Sequence, residues 1–129
     1  MEVKIDTREK FTVITPDTDC LSDNLTAELC SEIGKYQQND IKNVVLNLKN
    51  VTTVDDMAAE RLAKLQQQWY ESNASFVICE MQNTVEEKFE ELELLDLMNI
   101  TPTESEAWDI VQMEEIEREL LDGMDAPIP

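Results

Sequence analysis

Two consecutive acids, Asp55 and Asp56, are the residues of this chain best placed to do chemistry. They follow a strongly apolar run at 44–48 and a short polar loop, and they precede a segment with apolar residues at helical spacing. The N-terminus of a helix offers free N–H groups and the positive end of its dipole, which favours a carboxylate by about 0.3–1 kcal/mol. The pair is interpreted either as a helix cap or as a charged part of a binding surface, and the two interpretations are compatible.

A second group of acids matches four positions of a twelve-residue calcium loop, namely Asp17, Asp19, Asp23 and Glu28. Leu21 stands where a ligand is needed, and Ser22 replaces the glycine that such a loop requires. A polar loop leading into a helix, capped by Ser22 or Asp23, is the better interpretation. The sequence predicts neither a metal site nor a bound cofactor.

The composition excludes several kinds of function. The chain has no histidine, two glycines and three cysteines, so it lacks the residues for a Ser-His-Asp triad, a glycine-rich phosphate loop or a disulfide framework. Residues 1–81 carry 14 acids and 8 bases (−6), and residues 82–129 carry 15 acids and 2 bases (−13), which together give −19. Such a charge repels nucleic acid and anionic lipid, so we expect neither as a partner and expect charged partners to be basic. An odd number of cysteines without paired spacing favours a reduced, cytoplasmic chain.

Strand-like and helix-like segments alternate along the chain. The apolar run at 44–48 is typical of a central strand that is covered on both faces. Further strands are predicted at 3–6, at 11–14 (ended by Pro16), at 75–79 and around Ile100. Helices are predicted at 21–33, 58–69, 83–92 and 104–121. The predicted fold is α/β in the order ββαβαβα(β)α, with a mixed sheet of four to five strands, parallel inner strands and about four helices.

The chain is divided at residue 113 into one domain, 1–113, and an acidic helical extension with a loose tail, 114–129. An apolar stripe continues into this extension through Ile110, Met113, Ile116 and Leu120. We expect the first two to pack on the chain's own sheet. Ile116 and Leu120 favour contact either with a basic partner or with a second copy of the chain. In the second case a homodimer would form through the C-terminal helix.

The centre of the chain resembles the STAS domain of bacterial anti-sigma factor antagonists. The resemblance is carried by residues 40–55, Asp-Ile-Lys-Asn-Val-Val-Leu-Asn-Leu-Lys-Asn-Val-Thr-Thr-Val-Asp, and by the Thr-x-x-Glu-Ala pattern at 103–107. In that family a buried strand ends in an apolar-Asp-Ser-Ser-Gly-Leu turn that opens a helix. The resemblance implies a partner kinase that is also the anti-sigma factor, which binds the unphosphorylated antagonist and releases it after phosphorylation of the first serine.

This chain departs from the family pattern at the switch itself. Asp55 matches the family's Asp, but Asp56 stands at the phosphoserine, Met57 at the second serine and Ala58 at the glycine. The resemblance therefore implies a non-catalytic protein-binding module without a serine switch, with an anti-sigma factor kinase as one candidate partner. Asp56 is either only a helix cap or a permanent imitation of the phosphorylated state. The partner-binding residues that the resemblance implies are Asp17, Asp19, Thr53, Val54, Asp55, Asp56 and Met57. The alternatives are a constitutive scaffold subunit of a transport or stress-signalling complex and, less favoured, an enzyme.

Overall fold

The computed structural model describes residues 2–38 and 42–124, and its centre is a five-stranded sheet. The strands, in chain order, are β1 (Glu2–Thr7), β2 (Thr12–Asp17), β3 (Cys20–Leu21), β4 (Val44–Asn47), β5 (Thr53–Val54), β6 (Phe76–Cys79) and β7 (Ile100–Thr101). The main sheet has the order β1-β2-β4-β6-β7, in which β1 is antiparallel to β2 and the other pairings are parallel. The strands β3 and β5 form a separate parallel pair.

In the described part of the chain four α-helices surround the sheet, and the first three each follow an N-cap residue with extended backbone. They are α1 (Asp23–Gly34), α2 (Asp56–Glu71), α3 (Asn83–Glu91) and α4 (Glu104–Met124), with short 3₁₀ turns at Lys35–Gln38 and Leu95–Leu97. Side-chain caps are present at two helices, where Ser22 Oγ accepts from Leu25 N–H at 3.2 Å and Thr103 Oγ1 accepts from Glu106 N–H at 3.2 Å. The N-cap residues of α2 and α3 make no side-chain cap bond.

The sheet separates two apolar cores, because successive side chains of a strand point to opposite faces. In β4, Val44 and Leu46 face the core beneath α1, α2 and α3, whereas Val45 faces the core beneath α4. The strand β6 repeats this arrangement with Phe76 and Val77. The prediction of a central strand covered on both faces is confirmed, and so is the mixed α/β sheet with parallel inner strands.

Three details of the sequence prediction are wrong or incomplete. The strand β2 continues through Pro16 to Asp17, because Pro16 pairs with the edge strand β1. The pair β3–β5 was not expected. Met113 is 60% exposed and does not pack on the sheet, because it lies about half a turn from the buried Val111 on the same helix.

The boundary proposed at residue 113 falls inside α4, which runs through it without a break. Beyond it, Arg118 donates to Ser75 Oγ and Asn43 Oδ1, each at 3.1 Å, so this part of the helix is bonded to the sheet. The division into domain and extension remains a prediction. The tail predicted at 125–129 lies outside the described residues.

Candidate functional site

Asp55 and Asp56 lie where the chain passes from the short strand β5 into α2, after the central strand β4. After β4 the chain turns back, and β5 pairs with β3 through Cys20 opposite Thr53 and Leu21 opposite Val54. The carbonyl oxygen of Asp19 accepts from Thr52 N–H at 2.8 Å, from Thr53 N–H at 3.1 Å and from Thr52 Oγ1 at 2.9 Å. Backbone bonds from two distant segments therefore fix the loop in front of the helix.

The helix α2 begins at Asp56, with Asp55 at the N-cap position. Asp55 has the extended backbone typical of a cap, but its carboxylate accepts no hydrogen bond from the first turn, all of which the structure describes. Its N–H donates to Leu21 O at 3.0 Å, and its carbonyl accepts from Ala59 N–H at 2.9 Å. Asp55 thus anchors the helix through its backbone and leaves its charge at the surface.

The carboxylate of Asp56 forms an ion pair with a lysine of a neighbouring helix. Lys88 Nζ on α3 donates to Asp56 Oδ1 at 2.8 Å, and 62% of the Asp56 side chain is exposed. The hydrogen bond and the charge of Asp56 raise the pKa of Lys88, so the lysine is cationic at neutral pH. A single positive charge therefore balances the carboxylate at the start of α2.

Five exposed residues form what we call the junction surface: Asp19, Thr53, Asp55, Asp56 and Met57. Met57 is 55% exposed, and its flexible thioether suits contact with irregular partner surfaces. Asp17 is also exposed, at the end of β2 and two residues before Asp19. Val54 needs a correction, because it is 4% exposed and packs in the core, so it positions β5 and offers no side chain to a partner.

The sequence reasoning missed two residues of this site. Lys88 lies within the acidic run 86–91, and its partner Asp56 is 32 positions away along the chain. One signal was present, because Lys88 and Arg118 are the two bases after residue 81. The role of Cys20, which pairs with Thr53 and so positions β5 beside the junction surface, was missed because a two-residue strand has no periodicity to detect.

The environments of the cysteines lead to a prediction about their reactivity. Burial, with smaller contributions from Glu104 and Glu80, raises the pKa of Cys79 to about 12, whereas Cys20 is exposed beside Thr53. A chromogenic disulfide reagent at mildly alkaline pH should therefore modify Cys20 first and Cys79 only after unfolding in urea, because the thiolate is the reacting form. The fast phase should vanish in Cys20→Ser, and its loss in Cys79→Ser instead would contradict this assignment.

Solved structures share this architecture. A STAS-domain anti-sigma factor antagonist from Planctomyces limnophilus superposes with a TM-score of 0.73 at 17% identity, covering 85% of this chain and 97% of that one. RsbS from Moorella thermoacetica, in a variant with serine replaced by glutamate, gives 0.73 at 16% identity, with 92% and 99% covered. The murine anion transporter Slc26a9 gives 0.67 at 16% identity over 81% of this chain and 18% of the transporter. At these identities the likeness concerns the fold.

No curated protein matches the chain in sequence. Across residues 2–38 and 42–124, none of the helices combines the length and apolar character needed to cross a membrane. The model of the STAS domain matches residues 3–107, a span that includes the whole five-stranded sheet and the junction between β5 and α2. This chain therefore belongs to the STAS domain family.

Proposed function

We propose that this chain is a non-catalytic protein-binding module, resembling an anti-sigma factor antagonist, that presents its junction surface without control by phosphorylation. The observation that carries the proposal is Asp56, an exposed carboxylate at the start of α2 that is paired with Lys88 at 2.8 Å. It occupies the place of the family's phosphoserine, and Met57 beside it has no hydroxyl either. A kinase finds no acceptor at this position.

The aspartate could imitate either the phosphorylated or the unphosphorylated state of the family's serine. A phosphoserine carries a charge of about −1.5 to −2 and three acceptor oxygens, whereas an aspartate carries −1 and two. Because Lys88 supplies +1 in each case, the pair would carry +1 with a serine, zero with the aspartate and about −0.5 to −1 with a phosphoserine, so by charge the aspartate lies between the two states. We assign the junction surface to the permanently binding-competent state, because the carboxylate lacks the second charge and third oxygen of a phosphate and its one charge is already paired with Lys88. In that state it would act in the cytoplasm on a protein such as an anti-sigma factor kinase.

The composition supports a binding role over catalysis. Without histidine, the usual general acid–base group near neutral pH is missing, and two glycines cannot build a phosphate cradle. The exposed groups of the junction surface are carboxylates, a threonine and a thioether, a set suited to charge-complementary contact.

A second candidate function is an accessory or scaffold domain of a larger complex. It is favoured by the likeness to part of the anion transporter Slc26a9, a chain in which the shared fold makes up 18% of the length. A permanently competent surface suits such a subunit as well, since no release step is needed.

The proposal is tested by capturing partners from the native cell on the immobilised chain. We expect the wild type to hold its partner in the presence of ATP and Mg²⁺, and Asp56→Ser to capture the same protein but lose it as the new serine is phosphorylated. Met57→Arg should weaken capture by about tenfold or more, as for an exposed anchor within an interface. Capture of a kinase-type ATPase supports the antagonist role, and capture of a transporter supports the accessory role.

A matched control is Leu97→Gln, because Leu97 is 81% exposed on the 3₁₀ turn and lies outside the junction surface. It should leave capture unchanged. Two results would overturn the proposal: phosphate on the wild-type chain in the presence of the partner, or a partner that binds Asp56→Ser and never the wild type, since the aspartate would then lock the surface in the released state.

A further inference from the structure

The helix α4 has one face bonded to the domain and one face turned outward. The inward face carries the buried Ala107 and Val111 and, further along, Glu115 and Arg118. Asn43 Nδ2 donates to Glu115 Oε2 at 2.8 Å, and Arg118 donates to Ser75 and Asn43. These contacts fix which side chains of α4 point away from the sheet.

Three large apolar side chains form a continuous stripe on the outward face. Met113, Ile116 and Leu120 are 60%, 55% and 62% exposed. Their spacing of three and four residues places them on one side of the helix, over about two turns or 10 Å. We call them the α4 stripe. Spacing of this kind is what a partner helix uses when it packs its own apolar face against another.

Acids surround the α4 stripe. The exposed charged residues on this face of the helix are Glu106, Asp109, Glu117 and Glu119. Arg118, the single base between Glu104 and Met124, is turned inward to Ser75 and Asn43. The outward face of α4 up to Leu120 therefore combines an apolar centre with four acids at its borders and no base of the helix itself, and Lys10 of the β1–β2 turn lies near Ile116 and Glu119 at one edge.

We propose that the α4 stripe is a docking site for a cationic amphipathic helix of another protein. The acids that border the stripe would meet lysines or arginines on both sides of the partner's apolar face, which fixes its position and favours its approach. A second copy of this chain fits poorly, because the same acids would face each other across the contact. Like charges in such a contact are a means of excluding the wrong partner.

The α4 stripe is separate from the junction surface. It lies beyond residue 107, where the match to the family model ends, and on the opposite side of the sheet from α2. The two proposals can therefore fail independently, and binding at α4 would add a second partner to the one held at the junction.

The test uses two synthetic peptides of identical composition. One places leucines along a single helical face with lysines elsewhere, and the other has the same residues scrambled so that no apolar face forms. Titration calorimetry of the full chain should show that the amphipathic peptide binds about tenfold more tightly than the scrambled one, and that its affinity falls as salt is added. The scrambled peptide measures the general attraction of a chain of charge −19 for cations.

The variants locate the binding. The double substitution Ile116→Gln with Leu120→Gln should abolish the tenfold preference, and Leu97→Gln, which removes a still more exposed leucine elsewhere, should keep it. All three positions are exposed, so the fold is expected to survive. Equal binding of the two peptides, or an undiminished preference in the double variant, would overturn the proposal. So would sedimentation analysis that shows a dimer which the double variant dissociates, because the occupant would then be a second copy.

Discussion

Replacing Trp69 with alanine is expected to lower the free energy of unfolding by about 3–5 kcal/mol, the usual cost of removing a buried tryptophan. Trp69 is fully buried on the inner side of α2, and its indole packs edge-on against Phe76 with 5.8 Å between ring centroids. Its Nε1–H also donates to Lys42 O at 2.6 Å. Because domains of this size are stable by about 5–15 kcal/mol in total, the variant should be strongly destabilised.

Urea unfolding followed by far-ultraviolet circular dichroism measures this loss. Gln67→Ala is the matched control, because Gln67 is exposed on the same helix and should change stability by less than about 0.5 kcal/mol. Trp69→Phe separates the two contributions, since it keeps most of the ring but leaves the Lys42 carbonyl without its donor, at a cost of about 1–3 kcal/mol. A loss below about 1 kcal/mol for the alanine variant would show that the ring is not part of the core.

The second large effect is expected at Asn43, where replacement by leucine should cost about 2–4 kcal/mol. Asn43 is 5% exposed, and its amide donates to Lys10 O at 2.9 Å and to Glu115 Oε2 at 2.8 Å. Its Oδ1 accepts from Ser75 N–H at 2.9 Å and from Arg118 at 3.1 Å. Leucine fills the space but leaves all of these groups without the side chain that joins them.

The loss of unfolding free energy caused by Asn43→Leu should become smaller as the pH is lowered. The hydrogen bond from Asn43, aided by Arg118, lowers the pKa of Glu115 against the opposing effect of burial. The ionised Glu115 carboxylate contributes its full stabilisation of the folded chain at pH values above the pKa of an ordinary glutamate. This contribution is lost as the pH falls through the lowered pKa of Glu115 in the folded chain. Urea unfolding at several pH values should therefore show the difference between wild type and Asn43→Leu shrinking on acidification.

The control for this variant is Asn24→Leu, the same substitution at an exposed position of α1. It should change stability by less than about 0.5 kcal/mol. If Asn43→Leu is equally harmless, or if its cost is independent of pH, then Asn43 does not hold α4 to the sheet in the way that the structure implies.

The parts of the fold that local pattern determines were predictable. The run at 44–48 lies at the centre of the sheet because four consecutive buried positions suit a strand with neighbours on both faces. The caps at Ser22 and Thr103 follow from contacts within three residues. Asp55 and Asp56 could be predicted to be exposed because they precede Ala58, the first of the apolar residues that recur at helical spacing in α2.

What could not be predicted depends on contacts between distant segments. The pairing of Asp56 with Lys88 requires α3 to pack beside α2, which no spacing in either helix specifies. The pair β3–β5 joins two dipeptides 33 positions apart. The orientation of α4 was misjudged at Met113, because Ala107 and Val111 define the buried side and the apolar stripe drifts away from it.

The strands at the two ends of the sheet have a consequence for behaviour at high concentration. On one side, β1 places Glu2 and Lys4 in solvent, and on the other, β7 consists of Ile100 and Thr101 alone. A charged edge strand and a very short edge strand both pair poorly with the backbone of another molecule, so edge strands of these kinds oppose fibril growth. We therefore expect neighbouring molecules to meet through their side chains, with the sheet remaining closed to extension.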